Sequence, residues 1–82
     1  MMLTEYIQAA MRHAHYKQYD DGTSFGSIDL PGFEGVWANE ATQEETERDL
    51  RSVLEDWLLL GLQLRHRLPI VDGIDVNALV AA

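Results

Sequence analysis

The sequence predicts an α+β fold: a three-stranded antiparallel sheet covered by helices on one face, in the order αβββα with room for a short fourth strand. Three observations carry that prediction. Apolar residues recur with a helical period near the start of the chain. Alternation of period two, broken by turn residues, takes over from about residue 15. The helical period returns behind a capping signal at residue 42. The 82 residues are read as one domain, 1–82.

The first helix rests on Leu3, Ile7, Ala10, Met11 and Ala14, which fall on one helical face, with Thr4 as its N-cap. It is too short to stand alone and must dock on the rest of the domain. His15 to Tyr19 reads as a strand, and Asp20-Asp21-Gly22-Thr23 as the turn behind it, with Gly22 free to take positive φ. The returning strand runs from Ser24 to Leu30. Gly26, Ile28 and Leu30 share one face, and Phe25, Ser27 and Asp29 the other. Pro31 and Gly32 end it, and Gly35 to Ala38 forms a short third strand.

Thr42-Gln43-Glu44-Glu45 is a capping box: the Thr42 hydroxyl accepts from the Glu45 amide, and the Glu45 carboxylate reaches back to the Thr42 amide. Leu50, Val53, Leu54, Trp57, Gly61 and Leu64 then supply an inward stripe, which predicts a helix from about Gln43 to Leu64. Pro69 limits its extension, and Ile74 to Val76 reads as the short extra strand. Residues 78–82 carry no clear signal.

Composition narrows the function classes. Fourteen acids against six bases give a formal charge of −8. Phosphate recognition needs clustered cations, whereas Lys17 is the lone lysine and the five arginines are scattered, so direct nucleic-acid binding is disfavoured and a basic protein partner favoured. No cysteine is present, which removes disulfides and thiolate chemistry. The opening Met1-Met2-Leu3-Thr4-Glu5 lacks a basic region followed by an apolar run, and the longest apolar run, Trp57 to Leu62, falls far short of the about 20 residues that span a membrane. A cytoplasmic location is the expectation.

Candidate sites are few. Glu44–Arg48, Glu47–Arg51 and Arg51–Glu55 stand four apart and predict helix-stabilising pairs of about 0.2–0.5 kcal/mol each. Glu45, Asp49 and Asp56 lie on the opposite flank of the same helix, and neither Asp49 nor Asp56 has a base four positions away. That stripe is either a solvated face or a docking surface for a basic partner, to which Asp20 and Asp21 at the hairpin tip would add. Leu58, Leu59 and Leu60 cannot all face one core. Leu59 and Leu62 fall off the inward arc and are assigned to a homo-oligomer interface, with coverage by the first helix or the tail as the alternative. His13, His15 and His66 do not form a metal set by spacing, and Asp20 and Asp21 are accounted for by the turn. No catalytic residue, metal ligand or cofactor is assigned, and the reading is a binding module rather than an enzyme.

Taken in order, Asp21-Gly22, Phe25-Gly26-Ser27-Ile28, Asp29-Leu30-Pro31-Gly32, Val36-Trp37-Ala38 and the helix opened by Thr42 resemble the HicB-like antitoxin domain, most strongly over residues 15–64. The resemblance implies a compact α+β domain that neutralises a small basic HicA-type toxin, an mRNA-cleaving ribonuclease, by protein–protein binding. Many members also repress their operon through a C-terminal DNA-binding domain. Residues 70–82 are too few for one, so the expectation is a short form without it. A helix before the first strand, and Thr46 where the family often has alanine, are further departures. The alternative function is a stand-alone structural or regulatory homo-oligomer with no toxin partner.

Overall fold

A computed structural model describes residues 2–77 of the chain. It contains α1 (Met2–Met11), β1 (Ala14–Gln18), β2 (Ser24–Ile28), β3 (Trp37–Glu40) and α2 (Gln43–Gln63). The strands form one antiparallel sheet in the order β1-β2-β3, so the predicted αβββα fold is the observed one. The expected fourth strand is a single bridge between Val71 and Ile74 in a tight loop, closed by reciprocal backbone hydrogen bonds of 3.1 and 2.8 Å. The tail, residues 78–82, lies outside the described residues.

The sheet is built by alternation. Ser24, Gly26, Ile28 and Ala38 are buried under α2, while His15, Lys17, Phe25, Ser27, Trp37 and Asn39 occupy the other face by strand period. Gly26 permits the close approach of helix and sheet: a Cβ there would lie 2.9 Å from the Thr46 methyl and 3.0 Å from the Tyr16 ring. Thr46 is fully buried at that contact, and its single hydroxyl proton is shared between the Thr42 carbonyl at 2.7 Å and the Ser24 carbonyl at 3.1 Å. Alanine could fill the same place but could not tie helix to strand.

Both ends of α2 are closed by backbone chemistry. At the start, Thr42 Oγ1 accepts from the Glu45 amide at 3.1 Å and donates to Glu45 Oε1 at 3.0 Å. The carboxylate thus meets the Thr42 hydroxyl, where the capping box had it meeting the amide. At the other end, the His66 amide bonds the Gly61 carbonyl and the Arg65 amide the Leu62 carbonyl, with Arg65 at φ 58°. That is a Schellman ending with arginine in the left-handed position usually held by glycine.

The turn after α2 sends residues 65–77 back over the core, which explains how the buried stripe departs from expectation. Leu50, Leu54, Leu58 and Gly61 are buried, with Val53, Trp57 and Leu62 half-buried, and Leu64 is exposed. Leu68 covers Gly61, where a Cβ would come within 2.8 Å of the leucine side chain. By Leu64 the chain has begun to turn away, so the helical period no longer predicts burial. Asn77 closes the returning segment by exchanging two 2.8 Å hydrogen bonds with the Leu68 backbone.

Tyr6 anchors α1 to this segment: it is fully buried, its hydroxyl donates to the Pro69 carbonyl at 2.7 Å, and its ring lies 6.4 Å from Phe33. Burial, with the charge of Asp75 adding to it, pushes its phenol up to about 12. Thr4 falls inside α1, because the helix begins at Met2, and so does not cap it. Gly32 has φ 92°, and a Cβ there would lie 2.6 Å from Pro69. Its left-handed turn and its missing side chain are therefore both used.

Candidate functional site

Ser24 pairs with Gln18 on one side and Glu40 on the other. The β1–β2 tip, the end of β3 and the start of α2 therefore gather at one end of the sheet. Only Ala41 and Thr42 separate Glu40 from α2, so Glu40 meets the first turns of that helix. With Glu45, Arg48, Asp49 and Ser52 it lines a shallow, open concavity. The charge of Asp49 is the main reason that the Glu40 carboxyl titrates above its ordinary value, with some loss of water, the Asp49 side chain and the charge of Glu45 adding to it. Glu40, Glu45 and Asp49 thus form a cluster of carboxylates, with Arg48 beside it, in which the charges of Asp49 and Glu45 disfavour ionisation of Glu40.

The predicted site residues divide. Glu45 and Asp49 come together. Asp56 lies on the same flank of α2 but eleven residues beyond Glu45, about 16 Å along the axis, and outside the patch. Asp20 and Asp21 stand at the hairpin tip, at the same end of the sheet. Asp21 Oδ1 accepts from the Thr23 hydroxyl at 2.7 Å and amide at 2.9 Å, which holds its carboxyl below the usual range. That carboxylate organises the turn first. The expected pairs Glu44–Arg48, Glu47–Arg51 and Arg51–Glu55 are not among the ion pairs of the described residues. Contacts of that kind include Arg12–Asp72 at 3.4 Å and, when the imidazole is protonated, His13–Asp72 at 2.9 Å and His15–Asp29 at 3.2 Å, and the first two tie the end of α1 to the loop after α2.

Two features were not assigned from sequence. Glu40 was missed because the third strand was placed at Gly35 to Ala38, two residues early. The uncovered sheet face was missed as a surface, although the alternation of Phe25, Ser27 and Asp29 was its signal. Phe25 and Trp37 stack there with ring centres 5.9 Å apart and Trp37 53% exposed, and the Lys17 ammonium lies 5.3 Å from the Tyr19 ring centre.

The far end of α2 is different in kind. Leu59, Leu60 and Leu64 are 54%, 53% and 56% exposed. Leu62, expected with Leu59 at an oligomer interface, is half-buried and packs on the core. The chain folding back over Gly61 covers that side of the helix, and the exposed set is Leu59, Leu60 and Leu64. No group of three histidines, aspartates or glutamates placed to hold a metal ion occurs among the described residues, and none of their helices is long and apolar enough to cross a membrane.

Comparison with known proteins matches residues 5–69 to the family described as UPF0150-like, a longer stretch than the motifs alone marked out. Among solved structures, the chain is similar to TTHA0281 from Thermus thermophilus, with 36% identity, a TM-score of 0.80 and 93% of each chain covered. No match is found among curated proteins.

Proposed function

The chain belongs to the UPF0150-like family, and on that footing we propose that it is a HicB-like antitoxin or antitoxin-derived binding protein. The family is associated with HicB-like antitoxin domains. The acidic end of the molecule takes a small basic protein, a HicA-type mRNA-cleaving toxin, and occludes the basic surface with which it grips RNA. The observation that carries this reading is the crowding of Glu40, Glu45 and Asp49. Like charges in contact disfavour the free state, and a cationic partner relieves them. Such complementarity acts mainly on the association rate and on the choice of partner. The end of β3 and the first turns of α2 hold the three carboxylates, so the site is formed before the partner arrives.

The test is association with a small basic protein encoded beside this chain, followed by stopped flow at several salt concentrations. The double change Glu40→Lys with Asp49→Lys should slow association by at least about tenfold at low salt and flatten its salt dependence. Asp56→Lys, outside the patch, should have a smaller effect. If the double variant associates at the wild-type rate and affinity, the patch is a solvated surface.

A further inference from the structure

The leucine end of α2 offers no feature that selects its cover. The uncovered sheet face does, through its composition. Register and alternation set it out in two rows. Lys17, Phe25 and Asn39 lie side by side across the three strands, and His15, Ser27 and Trp37 form the next row. None of the six is buried, and none is aliphatic.

Two of the six form a ring platform. Phe25 and Trp37 stand diagonally across β2 and β3 and stack with centres 5.9 Å apart and planes 21° from parallel. Trp37, on the edge strand, keeps 53% of its surface in water. A two-ring stack with one end open accepts a third flat ring. Beside Phe25 in register stands Lys17, the chain's one lysine, whose ammonium is steadied 5.3 Å from the Tyr19 ring centre. Among the described residues of the strands and their ends, Asp29 is the acid that alternation puts on this face, and its carboxylate lies 3.2 Å from His15 Nε2. Asp20 and Asp21 bound the face at the hairpin tip, which keeps the footprint to the two rows, and the carboxylates of α2 lie behind the sheet.

We infer that the uncovered sheet face binds single-stranded nucleic acid, with one base extending the Phe25–Trp37 stack and a neighbouring phosphate meeting Lys17. An open sheet that carries stacking rings, a cation and small hydrogen-bonding side chains matches what an unpaired base requires, and every base brings a π-face. A protein partner fits this face less well, because lysine is depleted in protein interfaces and no aliphatic side chain is there to receive it. The lack of clustered cations argues against a site that draws its affinity from phosphates. It also sets the kind of binding expected here, which is weak, driven by stacking and shallow in its salt dependence. Glu40, Glu45 and Asp49 take no part, so the inference stands apart from the toxin-binding reading.

The probe is a short fluorescein-labelled oligothymidine, followed by anisotropy as the wild-type chain is added to high micromolar concentration. It should bind, with log affinity falling against log salt at a slope of about −0.7, the value for one neutralised phosphate on a single strand. An abasic strand of the same length, and a duplex, should bind at least about tenfold more weakly. Trp37→Leu and Phe25→Leu keep an apolar side chain but remove the ring, and each should weaken binding by about tenfold or more, while Trp37→Phe should keep most of it. Lys17→Gln should flatten the salt slope. Amide shifts in the wild type should centre on Lys17, Phe25 and Trp37, a readout that depends on no variant folding. Absence of binding overturns the inference. So does an abasic strand that binds as well as oligothymidine, binding that survives both leucine variants, or shifts centred away from the sheet face.

Discussion

The two ends of α2 are held in opposite ways. At the start, Thr42 and Thr46 spend their hydroxyls on the Glu45 amide and on the Ser24 and Thr42 carbonyls, and the surface above them is carboxylate. Hydrogen bonds fix this end, and repulsion is left on its surface. At the finish, Leu68 closes on Gly61, Pro69 on Gly32, and Tyr6 reaches the Pro69 carbonyl. Packing fixes this end, and leucine is left on its surface. One helix thus presents two surfaces, one suited to a charged partner and one to an apolar partner, and the local means of closure differ accordingly.

If the second end is held by packing, its tightest contact should be the most expensive to disturb. Gly32→Ala meets two penalties: φ 92°, and a Cβ 2.6 Å from Pro69. It should destabilise the fold by about 3 kcal/mol in urea titration, the sum expected for left-handed strain and overpacking. A loss under about 1 kcal/mol would mean that the segment after α2 is loosely attached.

The caps sharpen the contrast, since changes at the two ends should differ in sign. Thr42→Ala removes the acceptor of the Glu45 amide and should cost about 1 kcal/mol. Arg65→Gly relieves a non-glycine residue at φ 58°. It should raise stability by about 0.5–1 kcal/mol, after the greater freedom of glycine in the unfolded chain is counted. Chemical denaturation of dilute protein checks both.

The smallest effect is on pH dependence, and it too is opposite in sign at two places. The hydrogen bond from His13, with Arg12 assisting, holds the Asp72 carboxyl below its ordinary value. Its contribution to stability is present above the unfolded-state pKa and lost as pH falls through the folded one. Glu40 is raised, so its ionised form weakens the fold at neutral pH, and that penalty disappears as pH falls through its raised value. Asp72→Asn should therefore lower the urea midpoint at neutral pH and Glu40→Gln should raise it. Both differences should vanish in acid.

The fold was legible wherever a local signal decided it. The 42–45 capping signal placed the start of α2 correctly and Asp20 to Thr23 placed the hairpin, while the second strand, expected to run to Leu30 before Pro31-Gly32, stops at Ile28. Legibility failed where distant contacts decide. Leu64, read as part of the inward stripe, is exposed because the chain turns away there and residues 65–77 fold back over the core, which helical period alone does not reveal. Tyr6 joins the core through Pro69 and Phe33, far away in sequence. Of the candidate site, Glu45 and Asp49 could be read from the helix. Glu40 could not, because its place depends on strand register, and a third strand set two residues early put it in a loop.

The most direct test of the acidic end as the partner site is to titrate the isotope-labelled chain with the basic partner and follow its amide and carboxyl resonances. The account predicts that shifts concentrate at Glu40, Glu45 and Asp49, extend to Asp20 and Asp21, and spare Phe25 and Trp37. It also predicts that the Glu40 carboxyl moves back toward its ordinary pKa as the partner's cations offset Asp49. Shifts centred on Phe25, Trp37 and Lys17, with the Glu40 titration unchanged, would contradict it and assign the partner to the uncovered sheet.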